Sequence, residues 1–148
     1  MKIVFRVSLG LILLATIASR SRAQTGSNSQ INFTANSLNE ALKQASVQNK
    51  YIFVDAYTTW CGPCKMLKST TFKNAKAATF FNQNFVNVSL DMEQGNNPQL
   101  GQQWGMRAIP TLIILDTKGK VVLNTVGFVT AKDLIRFGEE ALRKRKAI

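Results

Sequence analysis

The 148 residues carry 19 basic and 8 acidic side chains, a net charge of +11, with two cysteines and no histidine. The lack of histidine excludes histidine acid–base chemistry and Cys-His nucleophilic catalysis. Two cysteines alone are also too few for a structural zinc site, which needs four ligands.

Lys2 and Arg6 precede a nearly continuous apolar stretch over residues 7–18, and Ser21-Arg22-Ala23 puts small residues where a signal peptidase reads. This pattern predicts a secretory signal peptide over residues 1–23, cut before Gln24. Cleavage after Ala18 and retention as an anchor are the alternatives, although the apolar run falls short of the about 20 residues that span a bilayer. No cysteine follows it, which argues against a lipid-anchored lipoprotein. The expectation is an exported protein, periplasmic or secreted. The remaining chain is one domain's worth and can bury a core without covalent help.

Residues 24–36 open polar and rich in Ser, Asn and Gly, and are expected as a flexible leader to a folded domain over 37–148. Ser37-Leu38-Asn39-Glu40 is a capping box, and Leu38, Ala41, Leu42 and Ala45 recur at helical spacing, predicting a helix over Leu38–Gln48. Tyr51–Tyr57 is aromatic and β-branched, as a strand buried on both faces would be. Helical pattern resumes after Cys61, with Pro63 tolerated in the first turn. A second piece starts at Ala75, capped by Asn74. A strand from Phe85, a turn at Gly95-Asn96-Asn97-Pro98 leading into a short helix, and a hairpin of Thr111–Leu115 with a strand from Val121 follow. Gly127 ends the hairpin, and Thr130 caps a last helix running to about Lys144. The order predicts an α/β fold, a mixed sheet with helices on both faces. The closing run Arg143-Lys144-Arg145-Lys146 reads as a solvated tail, or more sharply as a weak contact for anionic lipid or acidic partners. No aromatic–basic interleaving appears, so no nucleic acid partner is expected.

Both cysteines lie in Trp60-Cys61-Gly62-Pro63-Cys64-Lys65, between a predicted strand and a predicted helix. A pair spaced this way can close and reopen a disulfide, whereas so short a ring constrains little chain and makes a poor staple. Covalent haem attachment needs His after the second cysteine, and Lys65 stands there. At the helix start, Cys61 meets unpaired N–H groups and the positive end of the dipole, which draw its pKa toward neutrality. Cys61 is therefore the expected nucleophile and Cys64, one turn in, the resolving thiol, with Gly62 and Pro63 setting the turn. Asp55 is an acid inside an apolar strand. Burial would raise its pKa, unless it reaches water at the strand end.

Val54-Asp55, the Cys61-Gly62-Pro63-Cys64-Lys65 run, Ile109-Pro110-Thr111 before a hairpin, and Gly127 before a final helix, in this order over residues 51–142, resemble thioredoxin. The stretch from Thr70 to Phe81 and Val126-Gly127-Phe128 look closer to the periplasmic C-terminal domain of DsbD. The resemblance implies the thioredoxin fold and a redox-active disulfide in place of a cofactor. It implies that Asp55 takes the proton of Cys64, and that Pro110 is a cis-proline packed on the redox pair. Trp60, Gly62, Pro63, Ile109, Pro110 and Gly127 would line the substrate groove, with Trp60 shielding the site and Ile109 pairing with a substrate strand. Trp104 reads as core. Tyr57 stands where thioredoxin carries a second Trp, and Asn87 where cytosolic thioredoxin carries the Lys that partners the buried Asp. The implied activity is thiol–disulfide exchange with disulfide-bearing proteins, most simply their reduction, recharged by a membrane or extracytoplasmic thiol donor. A disulfide oxidase or isomerase, or a binding or chaperone-like protein using the same groove, are the rival readings.

Overall fold

The structure, a computed structural model, describes residues 29–146; the expected signal peptide, residues 24–28 and the last two residues lie outside the described residues. In chain order the elements are β1 (Thr34–Ala35), α1 (Leu38–Gln48), β2 (Tyr51–Tyr57), α2 (Gly62–Ser69), a 3-10 turn (Thr71–Lys73), α3 (Ala75–Asn84), β3 (Phe85–Asp91), α4 (Asn97–Gln103), β4 (Thr111–Leu115), β5 (Val121–Val126) and α5 (Ala131–Lys146). The sheet order is β1-β3-β2-β4-β5. The strands β1, β3 and β2 run parallel, β4 runs antiparallel to β2, and β5 antiparallel to β4. This is the mixed α/β architecture anticipated from the order of elements.

Successive side chains of a strand face opposite ways, so a strand buried throughout supplies two cores. From β2, Tyr51 and Phe53 enter one core with Leu67 of α2, Phe81 of α3 and Leu134 of α5. Ile52, Val54 and Ala56 enter the other with Ala41 and Ala45 of α1 and Leu100 of α4. Helices therefore cover both faces. The first core is built on phenylalanine, with Phe53 and Phe81 ring centroids 4.5 Å apart and Phe81 stacked on Phe85 at 5.0 Å. Such pairs add about 0.5–1.5 kcal/mol each beyond their burial.

Local chemistry sets the helix ends. The Ser37 hydroxyl accepts the Glu40 N–H, and Asn49 closes α1 in the left-handed region at φ 48°. The Asn74 side chain accepts the Lys76 and Ala77 N–H groups at the start of α3. Thr130 caps α5 by accepting the Asp133 N–H at 3.2 Å.

Two expectations are corrected. Residues 31–36, expected within the flexible leader, belong to the fold. Ile31 is buried and its N–H donates to the Phe72 carbonyl at 2.8 Å, Thr34 and Ala35 pair with Val88 and Ser89, and Phe33 packs on Phe72 at 5.0 Å. Burial of Ile31 and Phe33 outweighs the loss of chain freedom there. The basic run is not simply a solvated tail either. It continues α5, where Arg145 donates to the Asn49 carbonyl and its guanidinium lies 5.3 Å from the Tyr51 ring centroid.

Candidate active site

β2 ends at Tyr57, the chain turns through Thr58, Thr59 and Trp60, and Cys61 is the N-cap of α2. The Cys61 sulfur accepts the Cys64 backbone N–H at 3.2 Å. The cap position thus does for sulfur what Ser or Asp does for oxygen, placing it at the positive end of the helix. Cys61 and Cys64 form a disulfide with their Cα atoms 5.3 Å apart. Both are buried, Cys61 at 4% exposure and Cys64 at 1%. Gly62 and Pro63 between them are exposed, and open space surrounds the Gly62 Cα where a side chain would stand.

Other expected residues gather at the same end of the sheet. Ala56 pairs with Thr111, which puts Pro110 beside the end of β2 where the Cys61 loop departs. Pro110 is buried, the Ile109–Pro110 peptide is cis, and the Pro110 carbonyl accepts the Gly127 N–H at 2.8 Å. Gly127 has φ +90°, a conformation that favours glycine. Ile109 is half-buried and packs with Trp104 and Met106 against the second core. Trp60 stands out at 68% exposure, with its indole N–H on a Glu93 carboxylate oxygen at 3.0 Å. An exposed ring anchored at one edge offers a fixed apolar face beside the disulfide.

Asp55 is fully buried on the β2 face that turns toward α2. One carboxylate oxygen accepts the Ser89 hydroxyl at 3.0 Å, while the other has no hydrogen-bond partner among the described residues. Burial pushes its pKa from 3.8 up to about 6, against the opposing pull of Lys68 and of the Ser89 hydrogen bond. The alternative of an Asp that reaches water is thereby excluded.

Asn87, expected near Asp55 from the resemblance, does not meet it. It stands opposite Phe53, and its amide donates to Asn82, while Ser89 stands opposite Asp55. The cation comes instead from α2. Lys68 is half-buried, with its ammonium 3.0 Å from the Tyr57 ring centroid. Burial lowers the Lys68 pKa, while Asp55 and Asp91 act to raise it. Lys68, Ser89 and Glu93 escaped the sequence reading. Only Lys68 left a signal, since four residues after Cys64 is the same face of a helix. Among the described residues no cluster of three His, Cys, Asp or Glu side chains could hold a metal ion.

The chain matches the family of thioredoxin-like domains over residues 38–142. It is 32% identical over 96 residues to thioredoxin of Mycoplasmoides gallisepticum, covering 63% of this chain and 86% of that one. It is 29% identical over 118 residues to the thiol:disulfide interchange protein DsbD of Colwellia psychrerythraea, covering 76% of this chain but only 19% of that longer protein. Among solved structures, a Bacteroides thetaiotaomicron protein described as a candidate disulphide-isomerase superposes with a TM-score of 0.68 at 42% identity, over 76% of this chain and 93% of that one. The oxidised C-terminal domain of Neisseria meningitidis DsbD superposes at 0.62 with 20% identity, over 74% of this chain and 99% of that one, a likeness of fold.

Proposed function

The chain belongs to the thioredoxin-like family and is a thiol–disulfide oxidoreductase with a Cys61–Cys64 redox pair, and from that premise we propose that it reduces protein disulfides outside the cytoplasm. The observation that carries this reading is the Cys61 sulfur capping α2, where a thiolate is stabilised without a histidine. The Cys61 thiolate attacks one sulfur of a substrate disulfide, forming a mixed disulfide and releasing the other sulfur as a thiolate. Asp55 accepts the Cys64 proton, the Cys64 thiolate attacks the Cys61 sulfur, and the second substrate thiolate departs. Two electrons pass from the dithiol to the substrate, and the chain is left as the disulfide.

Trp60, Gly62, Pro63, Ile109, Pro110 and Gly127 form the substrate face in this reading, with a substrate strand laid along Ile109. Export rests on the pattern of residues 1–23. An exported reductase needs a membrane or extracytoplasmic dithiol to recharge it, because that compartment is oxidising. A weak contact with anionic lipid through the basic end of α5 fits the charge there.

The test is the equilibrium potential of the Cys61–Cys64 pair against glutathione or dithiothreitol. A reductase is expected at about −270 to −230 mV, and a value near about −120 mV would make the protein a disulfide donor. An isomerase is the second reading, favoured by the description of the Bacteroides neighbour. It predicts rescue of scrambled substrates with their disulfide count unchanged. Loss of activity in Cys61→Ser/Cys64→Ser separates both from a binding protein, which would keep its function.

A further inference from the structure

Cys61, Cys64 and Lys68 are spaced three and four apart, so they share one face of α2. That face meets β2, where Asp55 and Tyr57 lie two residues apart on the same side of the sheet. The Lys68 ammonium rests on the Tyr57 ring at 3.0 Å from its centroid, a cation–π contact that holds a flexible side chain inward. On that same side of β2, one Asp55 oxygen is buried with no hydrogen-bond partner among the described residues. We propose that Lys68, clamped by Tyr57, is the positioning residue that sets the protonation of Asp55, so that the buried carboxylate takes its counter-charge from the redox helix itself.

Among the described residues, the groups that face Asp55 from the neighbouring strands include no cation. From β3, Ser89 hydrogen-bonds Asp55, Asp91 stands opposite Tyr57, and Asn87 is turned to Asn82. From β4, Leu112 stands opposite Asp55 and is fully buried. On α2 itself, Lys65 is exposed. Asp55 and Asp91 both act to keep Lys68 charged, and its positive charge in turn favours the ionised form of Asp55. Asp91 is also held by the Glu93 and Gln94 groups that donate to its two oxygens. Lys68 therefore acts on the proton transfer through Asp55 and touches no reacting atom.

This inference rests on the reading of Asp55 as the base for Cys64, so its test has two separate readouts. The first is the Asp55 carboxyl titration, followed by carbon-13 NMR in the oxidised protein. Lys68→Met should raise the midpoint by about one unit, the low end of what a neighbouring opposite charge does. Lys68→Arg should restore it. Tyr57→Leu, which frees the lysine to swing into solvent, should move the midpoint the same way, and Tyr57→Phe should not. An unchanged midpoint in Lys68→Met, or an equal shift in Lys68→Arg, overturns the inference.

The second readout is the rate at which Cys64 resolves a preformed mixed disulfide. With the midpoint one unit higher, the ionised fraction of Asp55 falls about twofold at pH 7 and about fivefold at pH 6, and the rate should follow. A shifted carboxyl titration with an unshifted rate profile would uphold the role of Lys68 and overturn that of Asp55 as the base.

Discussion

Asp55, the proposed base, also carries a cost to the folded state. Its folded pKa of about 6 lies above its ordinary 3.8, so the folded chain binds more protons than the unfolded one between those values. The contribution of Asp55 to stability is then most favourable below about pH 4, falls as pH rises through about 6, and is flat above. Two units correspond to about 3 kcal/mol. Asp55→Asn should therefore be more stable than the parent at pH 7 by about 2–3 kcal/mol and should lose that pH dependence, as denaturant unfolding at pH 4 and pH 7 would measure. The sequence showed an acid in an apolar strand and so the raised pKa. It did not show the partners. Asn87, Ser89 and Asp91 have the same parity on β3, and only the pairing register decides which one stands opposite Asp55. Likewise the face of Lys68 was countable from Cys64, but not that a ring two residues after Asp55 would hold it inward.

At the scale of elements, α3 and α5 approach closely through a glycine. A methyl group on Gly138 would lie 2.6 Å from the Phe80 ring, 3.1 Å from Phe81 and 3.3 Å from Phe85. Overpacking of this kind costs about 1–3 kcal/mol, and the gain in helix propensity returns about 1. Gly138→Ala should thus be a net loss of about 1 kcal/mol in thermal unfolding, where the same change on an exposed helix face would be a gain. Element positions were largely readable. The capping box located α1, the β-branched run located β2, and Asn74 and Thr130 marked the starts of α3 and α5. The edge strand β1 was lost because it pairs over only two residues. Ile31-Asn32-Phe33-Thr34 does alternate apolar and polar side chains, and that period of two was the available sign. The 3-10 turn is too short to leave a period at all.

For the molecule as a whole, the two cores on either face of the sheet carry the stability, and the disulfide adds little to them. A ring closed over a sequence separation of 3 removes little freedom from the unfolded chain. In the loop-entropy account its worth is at most about 2 kcal/mol. Reduced protein should remain cooperatively folded, with a denaturation midpoint only modestly below that of the oxidised form; loss of the folding transition on adding dithiothreitol would contradict this. The α/β class and the element order came from periodicity and turn chemistry. The placing of Pro110 beside the redox loop came only from the resemblance, because the pattern of a short strand does not say which neighbour it joins.

The parallel register of β1 also fixes a polarity. Thr34 is level with Val88 and Val54, so residue 31 lies level with the start of β2, while the disulfide follows that strand's far end. The last turn of α5 reaches that starting end too, since Arg145 meets Asn49 and Tyr51. Both ends of the described chain therefore leave from one pole, and the redox centre sits at the other, about 20 Å away along a seven-residue strand. Anything that held this protein by either end would present the disulfide outward, like a lamp on its stand, with its approach unobstructed by the support.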